Sequence, residues 1–72
     1  MHHKRLRRRD AAQCLRDHGY PVAAQTLARF ACEGGGPPYI LYGRIPLYDP
    51  DQLLEWAEAR CSRPRRSTSE GP

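Results

Sequence analysis

The stretch that most restricts the fold is GGGPPYILYGRIPLY, residues 34–48. Two apolar, β-rich runs, Tyr39–Tyr42 and Ile45–Tyr48, are separated by only Gly43 and Arg44. That spacing predicts a two-residue β-hairpin, with glycine supplying the positive φ that so tight a turn requires. The turn sets the register: Tyr42 opposite Ile45, Leu41 opposite Pro46, Ile40 opposite Leu47 and Tyr39 opposite Tyr48. Hydrogen-bonded and non-hydrogen-bonded pairs alternate outward from the turn, so Pro46 falls at a non-hydrogen-bonded position. Its missing N–H costs the hairpin nothing there, and its ring is expected to bar a third strand from the outer edge.

Helices are expected on both sides. LRRRDAAQCLRDHG predicts a short helix over roughly Arg8–His18, with Leu6 leading in and Gly19 ending it. Ala11, Cys14 and Leu15 share one face at i, i+3, i+4 spacing, and Asp10 brings a carboxylate to the N-terminal end. Tyr20-Pro21 reads as a turn. A second helix is expected from about Val22 to the Gly34–Gly36 triplet, with Ala23, Ala24, Leu27, Phe30 and Ala31 on one side. Gln25 and Arg29 fall on the opposite side and Thr26 on the flank. After the hairpin, Asp49-Pro50-Asp51 is a helix start, with Asp as cap and Pro at the first helical position. Leu53, Leu54, Trp56 and Ala57 pattern a third helix to about Cys61, in which Trp56 should anchor the core against the hairpin or the first helix.

Charge is distributed unevenly along the 72 residues. The formal net charge of +4 divides into +4 over residues 1–10, −3 over 11–59 and +3 over 60–72. Basic arms flanking a mildly acidic body point to a polyanionic partner, most often nucleic acid. The three cysteines, Cys14, Cys32 and Cys61, are odd in number and lack any C-x-x-C pair, so neither a disulfide framework nor a zinc site is expected. No stretch reads as a signal peptide or membrane span, and the expected location is the cytoplasm. Residues 1–5, with His2 and His3, form a basic arm; 6–61 form one domain; 62–72 form a basic tail expected to lack order.

The ordered set Ala11, Ala12, Leu15, then Thr26, Leu27, then Gly35, Gly36, Pro37, Tyr39, Gly43, Arg44, Leu47, Tyr48, then Asp51, Leu53, Trp56 resembles small winged helix-turn-helix domains. These are the MerR-like, excisionase and AlpA-type family, and the resemblance covers residues 6–61. It implies a mainly α fold with a β-hairpin: helix-turn-helix, two-stranded wing, C-terminal helix. Two features depart from the family pattern. The link HGYPVAA is longer than the usual Gly-Val-Ser type, and the wing continues Gly43-Arg44 with Ile45-Pro46 rather than another arginine.

The resemblance implies that the second helix enters the major groove of double-stranded DNA and reads it with its outer face. Gln25 suits adenine and Arg29 suits guanine by bidentate pairing, and Thr26 reaches a phosphate. Arg44 at the wing tip contacts the minor groove or the backbone. Arg5, Arg7, Arg8 and Arg9 at one end and Arg63, Arg65 and Arg66 at the other neutralise phosphates; about six such contacts give a log–log salt slope of about −5. Tyr39, Tyr42 and Tyr48 are expected to pack the hairpin rather than stack on bases. Cys14 and His18 at i, i+4 could be imagined as a nucleophile–base pair, yet Cys14 falls on the core face and no oxyanion hole is evident. Gly34–Gly36 precedes a strand and lacks a P-loop lysine. The expected protein is not an enzyme and has no cofactor or metal. The function expected is that of a recombination directionality factor (excisionase), bending DNA beside a site-specific integrase and self-associating cooperatively on DNA, plausibly through the arms. A transcriptional regulator at an operator, and a protein–protein adaptor, are the rivals.

Overall fold

Gly43 takes a φ of +64° and, among the described residues, no non-glycine residue has a positive φ. A glycine first and Arg44 second therefore form a turn of the II′ kind, whose twist suits a hairpin. In the computed structural model, which describes residues 4–62, the turn joins β2 (Ile40–Tyr42) to β3 (Ile45–Tyr48). Their register is the expected one: Tyr42 opposite Ile45, Leu41 opposite Pro46, Ile40 opposite Leu47. Tyr39 precedes the ladder but leans on Tyr48, ring centroids 5.6 Å apart.

The expected two-stranded hairpin is part of a three-stranded antiparallel sheet. Leu6–Arg7 form a short strand, β1, that pairs with β3: Leu6 opposite Tyr48 and Arg7 opposite Leu47. The order is β1-β3-β2, so β3 is central and the fold is mixed α/β rather than mainly α. Contrary to the expectation from the sequence, Pro46 does not bar a third strand from the outer edge. A missing N–H removes one rung, not the edge. The β1 ladder stops opposite Leu47, where the chain turns into α1 (Arg8–Asp17), and Pro46 is left beyond it.

The end of α1 is closed by a Schellman motif: Tyr20 N–H donates to Leu15 O (2.8 Å) and Gly19 N–H to Arg16 O (3.0 Å), with Gly19 at φ +90°. Arg16 Nη1 then donates to Val22 O at 3.1 Å. This ties the turn before the next helix back to α1. Helix α2 (Ala24–Glu33) starts two residues later than its periodicity suggests, and Ala23 serves as an extended cap rather than a face residue. Gly34, at φ +95°, ends α2, and its N–H donates to Phe30 O. Gly36 packs against Phe30 so closely that a β-carbon there would stand 2.5 Å from Phe30 Cβ. Asp49 caps α3 (Pro50–Ala59), its Oδ2 accepting from Gln52 N–H at 3.3 Å. The helix ends two residues short of Cys61.

The core is small: Ala11, Ala12, Leu15, Leu27, Tyr48, Leu53 and Ala57 are buried. The alanines of α1 let the helices approach, and Tyr48 supplies the largest buried side chain. Trp56 is half-buried and has a partner other than those expected. Its ring stands edge-on to Phe30 of α2 (5.5 Å between centroids), and its Nε1–H donates to Gly35 O at 3.0 Å. The Arg60 guanidinium lies 4.9 Å from the Phe30 ring centroid and 5.1 Å from that of Trp56. Trp56 therefore fastens α3 to the end of α2 and the glycine link. On the other side, Tyr20 O–H donates to Glu58 Oε2 at 2.6 Å, tying the α1–α2 turn to α3. That bond to a carboxylate holds the Tyr20 phenol above its ordinary pKa.

Candidate nucleic-acid interface

Helix α2 is amphipathic as its sequence requires. Leu27 is buried, and Ala24, Phe30 and Ala31 are half-buried, which leaves Gln25 and Arg29 exposed and Thr26 half-buried on the flank. Its first turn carries no acid, and Ala23 offers no side-chain cap. The Ala24 and Gln25 N–H groups precede the intrahelical ladder, so the positive end of this helix carries no capping side chain and no first-turn acid. Arg29 Nε stands 4.0 Å from Glu33 Oε2, both side chains two-thirds exposed. A pair at that distance and exposure holds a side chain only weakly.

The hairpin carries Arg44 exposed at its tip. Alternation along β3 puts Tyr48 on the helix side and Leu47 on the far side, and Arg7 shares the Leu47 row. Thus β1 places an exposed arginine on the outer face of the same sheet that presents Arg44. Arg8 is half-buried: its Nε donates to Tyr48 Oη at 3.1 Å, with its guanidinium 6.0 Å from the ring centroid. Arg9 is exposed in the first turn of α1. Arg7, Arg8 and Arg9 are therefore parts of the folded body, not of a loose arm. They border an open depression with Asp10 and Pro46. Lys4 and Arg5 lie exposed ahead of β1. Arg63, Arg65 and Arg66, most of the tail, and His2 and His3 lie outside the described residues.

The tyrosines divide. Tyr48 is 1 % exposed and packs the hairpin as expected, whereas Tyr42 is 73 % exposed and does not. The cause is position: Tyr42 flanks the turn on an edge strand, beyond the reach of the helices. A shallow cleft of about 160 Å³ lies between α2 and the hairpin, lined by apolar groups including Leu27, Phe30, Tyr39 and Tyr48. Cys14 Sγ stands 3.9 Å from His18 Nδ1, which is also 2.8 Å from Cys14 O. Partial burial and then the Asp17 carboxylate push the Cys14 thiol above its ordinary pKa. This is the reverse of the activation that a nucleophile needs.

Among the described residues, no three His, Cys, Asp or Glu side chains are grouped to hold a metal ion, and no helix is long and apolar enough to cross a membrane. Sequence reasoning missed the placement of Arg7 beside the hairpin and the exposure of β2. The only sequence hint of the first was the apolar Leu6 ahead of the basic run; the hint of the second was the absence of any residue able to cover Tyr42. No protein-family model matches the chain, and no curated protein matches it.

Proposed function

We propose that this protein binds double-stranded DNA in the manner of a small winged helix-turn-helix domain. The observation that carries the reading is the presentation of α2. Gln25 and Arg29 are exposed on a helix whose first turn carries no acid, while Arg44 is exposed at the tip of the hairpin. In this reading α2 lies in the major groove, Arg29 pairs with guanine and Gln25 with adenine, and Thr26 meets the backbone. Arg44 and Arg7 follow the neighbouring backbone or minor groove; Arg5 and Arg9, with Arg63, Arg65 and Arg66, add phosphate contacts. Arg8 acts chiefly by holding Tyr48. The job proposed is that of a recombination directionality factor bending DNA beside an integrase, as the family resemblance implies.

The rival reading is a regulator at an operator. Selection from random duplexes at low and moderate salt, followed by footprinting, separates the two. Closely spaced direct repeats filled cooperatively support the directionality factor; an inverted repeat supports the operator. Arg29→Ala and Arg44→Ala should each weaken specific binding by about 1–3 kcal/mol with an unchanged circular-dichroism spectrum. Unchanged affinity in both variants overturns the assignment of these residues.

A further inference from the structure

Proteins normally protect a sheet edge with charge, proline, a bulge or a covering segment, because unpaired N–H and C=O groups recruit other strands. The outer edge of β2 has no such guard within the strand. Its residues are Ile40, Leu41 and Tyr42, exposed by 48, 62 and 73 %, with Tyr39 at 39 % just before them. Residues 34–43 contain no charged side chain. The hairpin register also fixes which backbone groups are free. Tyr42 and Ile40 are at hydrogen-bonded positions facing β3, so the Leu41 N–H and C=O point away from the sheet.

We propose that β2 is a self-association strand: two copies of this chain pair their β2 edges antiparallel about a two-fold axis through Leu41. The pairing goes beyond the DNA-binding reading and does not depend on it. Three features fit a second copy as the occupant. First, charge: the protein carries its cations at the chain ends and at single exposed positions, whereas residues 34–43 offer a polyanion nothing. An uncharged strand complements an uncharged strand. Second, geometry: alternate residues expose apolar groups on both faces, Leu41 on one and Ile40 and Tyr42 on the other. Only an added strand, with its own alternating side chains, covers both at once. Third, closure: a β2–β2 pair leaves β1 as the outer edge of each copy. That strand is two residues long and runs straight into α1, so growth stops at a six-stranded dimer.

The axis predicts the contacts. Leu41 faces Leu41 of the second copy as a hydrogen-bonded pair, with Cα atoms about 5.5 Å apart. Ile40 faces the other copy's Tyr42 as a non-hydrogen-bonded pair, about 4.5 Å apart, close enough for a disulfide. Two Ile40 positions, each two residues along from the other's partner, are too far apart for one. The contact is short, and the association is accordingly weak and concentration-dependent.

The test is a pair of single-cysteine chains, Ile40→Cys and Tyr42→Cys, in a background with Cys14→Ala, Cys32→Ser and Cys61→Ser. On mild oxidation without DNA, the mixture should give a cross-linked heterodimer while each chain alone remains at least tenfold less cross-linked. Equal cross-linking of all three samples, or none in any at millimolar chain, overturns the pairing. Sedimentation equilibrium of the unsubstituted chain gives a second readout: a monomer–dimer equilibrium that Leu41→Lys weakens at least tenfold while leaving the circular-dichroism spectrum unchanged. Association unaffected by Leu41→Lys, or growth past the dimer, also overturns it. Failure here leaves the Arg29 and Arg44 binding test untouched, so the two readings fail separately.

Discussion

β2 and β3 are the two strands of one hairpin and draw on similar residues, YILY against IPLY, yet they meet opposite environments. Tyr48 at the end of β3 is 1 % exposed; Tyr42 at the end of β2 is 73 % exposed. Strand propensity is equal to either outcome. What differs is the neighbourhood: among the described residues, β3 has β1 on one edge, β2 on the other and α1 against it, whereas β2 is an edge strand paired with β3. An apolar side chain is buried by what surrounds it, and the same residue type serves as core in one strand and as contact surface in the next.

The largest effect should come from breaking the buried half. Tyr48→Ala removes the largest core side chain and the acceptor of the Arg8 hydrogen bond, and should cost about 3–5 kcal/mol in denaturant unfolding. A core this small unfolds under such a loss, so a folded Tyr48→Ala chain would mean that β3 is not the centre of the domain. A smaller effect marks where the chain leaves the body before β2. Gly36→Ala places a β-carbon 2.5 Å from Phe30 Cβ, and should cost about 1–3 kcal/mol by thermal melting, because two near-backbone atoms must separate. The smallest belongs to the exposed half. Tyr42→Thr should change monomer stability by about 0.5 kcal/mol or less, since the residue packs against little. A loss comparable to that of Gly36→Ala would erase the contrast between the strands.

The hairpin was the most legible part of the chain. A two-residue turn with glycine leaves one register, and the pattern around Gly43 specified the three pairs nearest the turn; the fourth, Tyr39 with Tyr48, is a ring contact outside the ladder. The Asp49-Pro50 helix start was legible for the same reason: each residue does one local thing. β1 was hidden because two residues, Leu6 and Arg7, show no periodicity; only the distant Leu47 and Tyr48 make them a strand. Pro46 misled because one absent donor was extended to a whole edge. The start of α2 was misplaced because Val22 and Ala23 continue the apolar pattern while Ala23 is extended backbone that caps the helix. Trp56 was legible as an anchor but not in its partner, since apolar size does not say which surface it will meet. In the candidate interface, the outward placement of Gln25, Arg29 and Arg44 followed from helix period and turn position. The engagement of Arg8 with Tyr48, 40 residues away in sequence, did not.

The seam that Trp56 forms with Phe30, Gly35 and Arg60 also determines what light can report about this molecule. Trp56 is the sole tryptophan, and its indole samples the junction of α2 with α3 and nothing of the β2 edge. Its emission will follow the release of that junction and register a ligand that disturbs α2 near Phe30. A hairpin tip that frays, or a second chain that docks on Leu41, leaves the indole in the same surroundings and passes unseen. Two observers, one watching tryptophan and one watching backbone exchange at Leu41, would describe the same sample as silent and as changing, and both would be right.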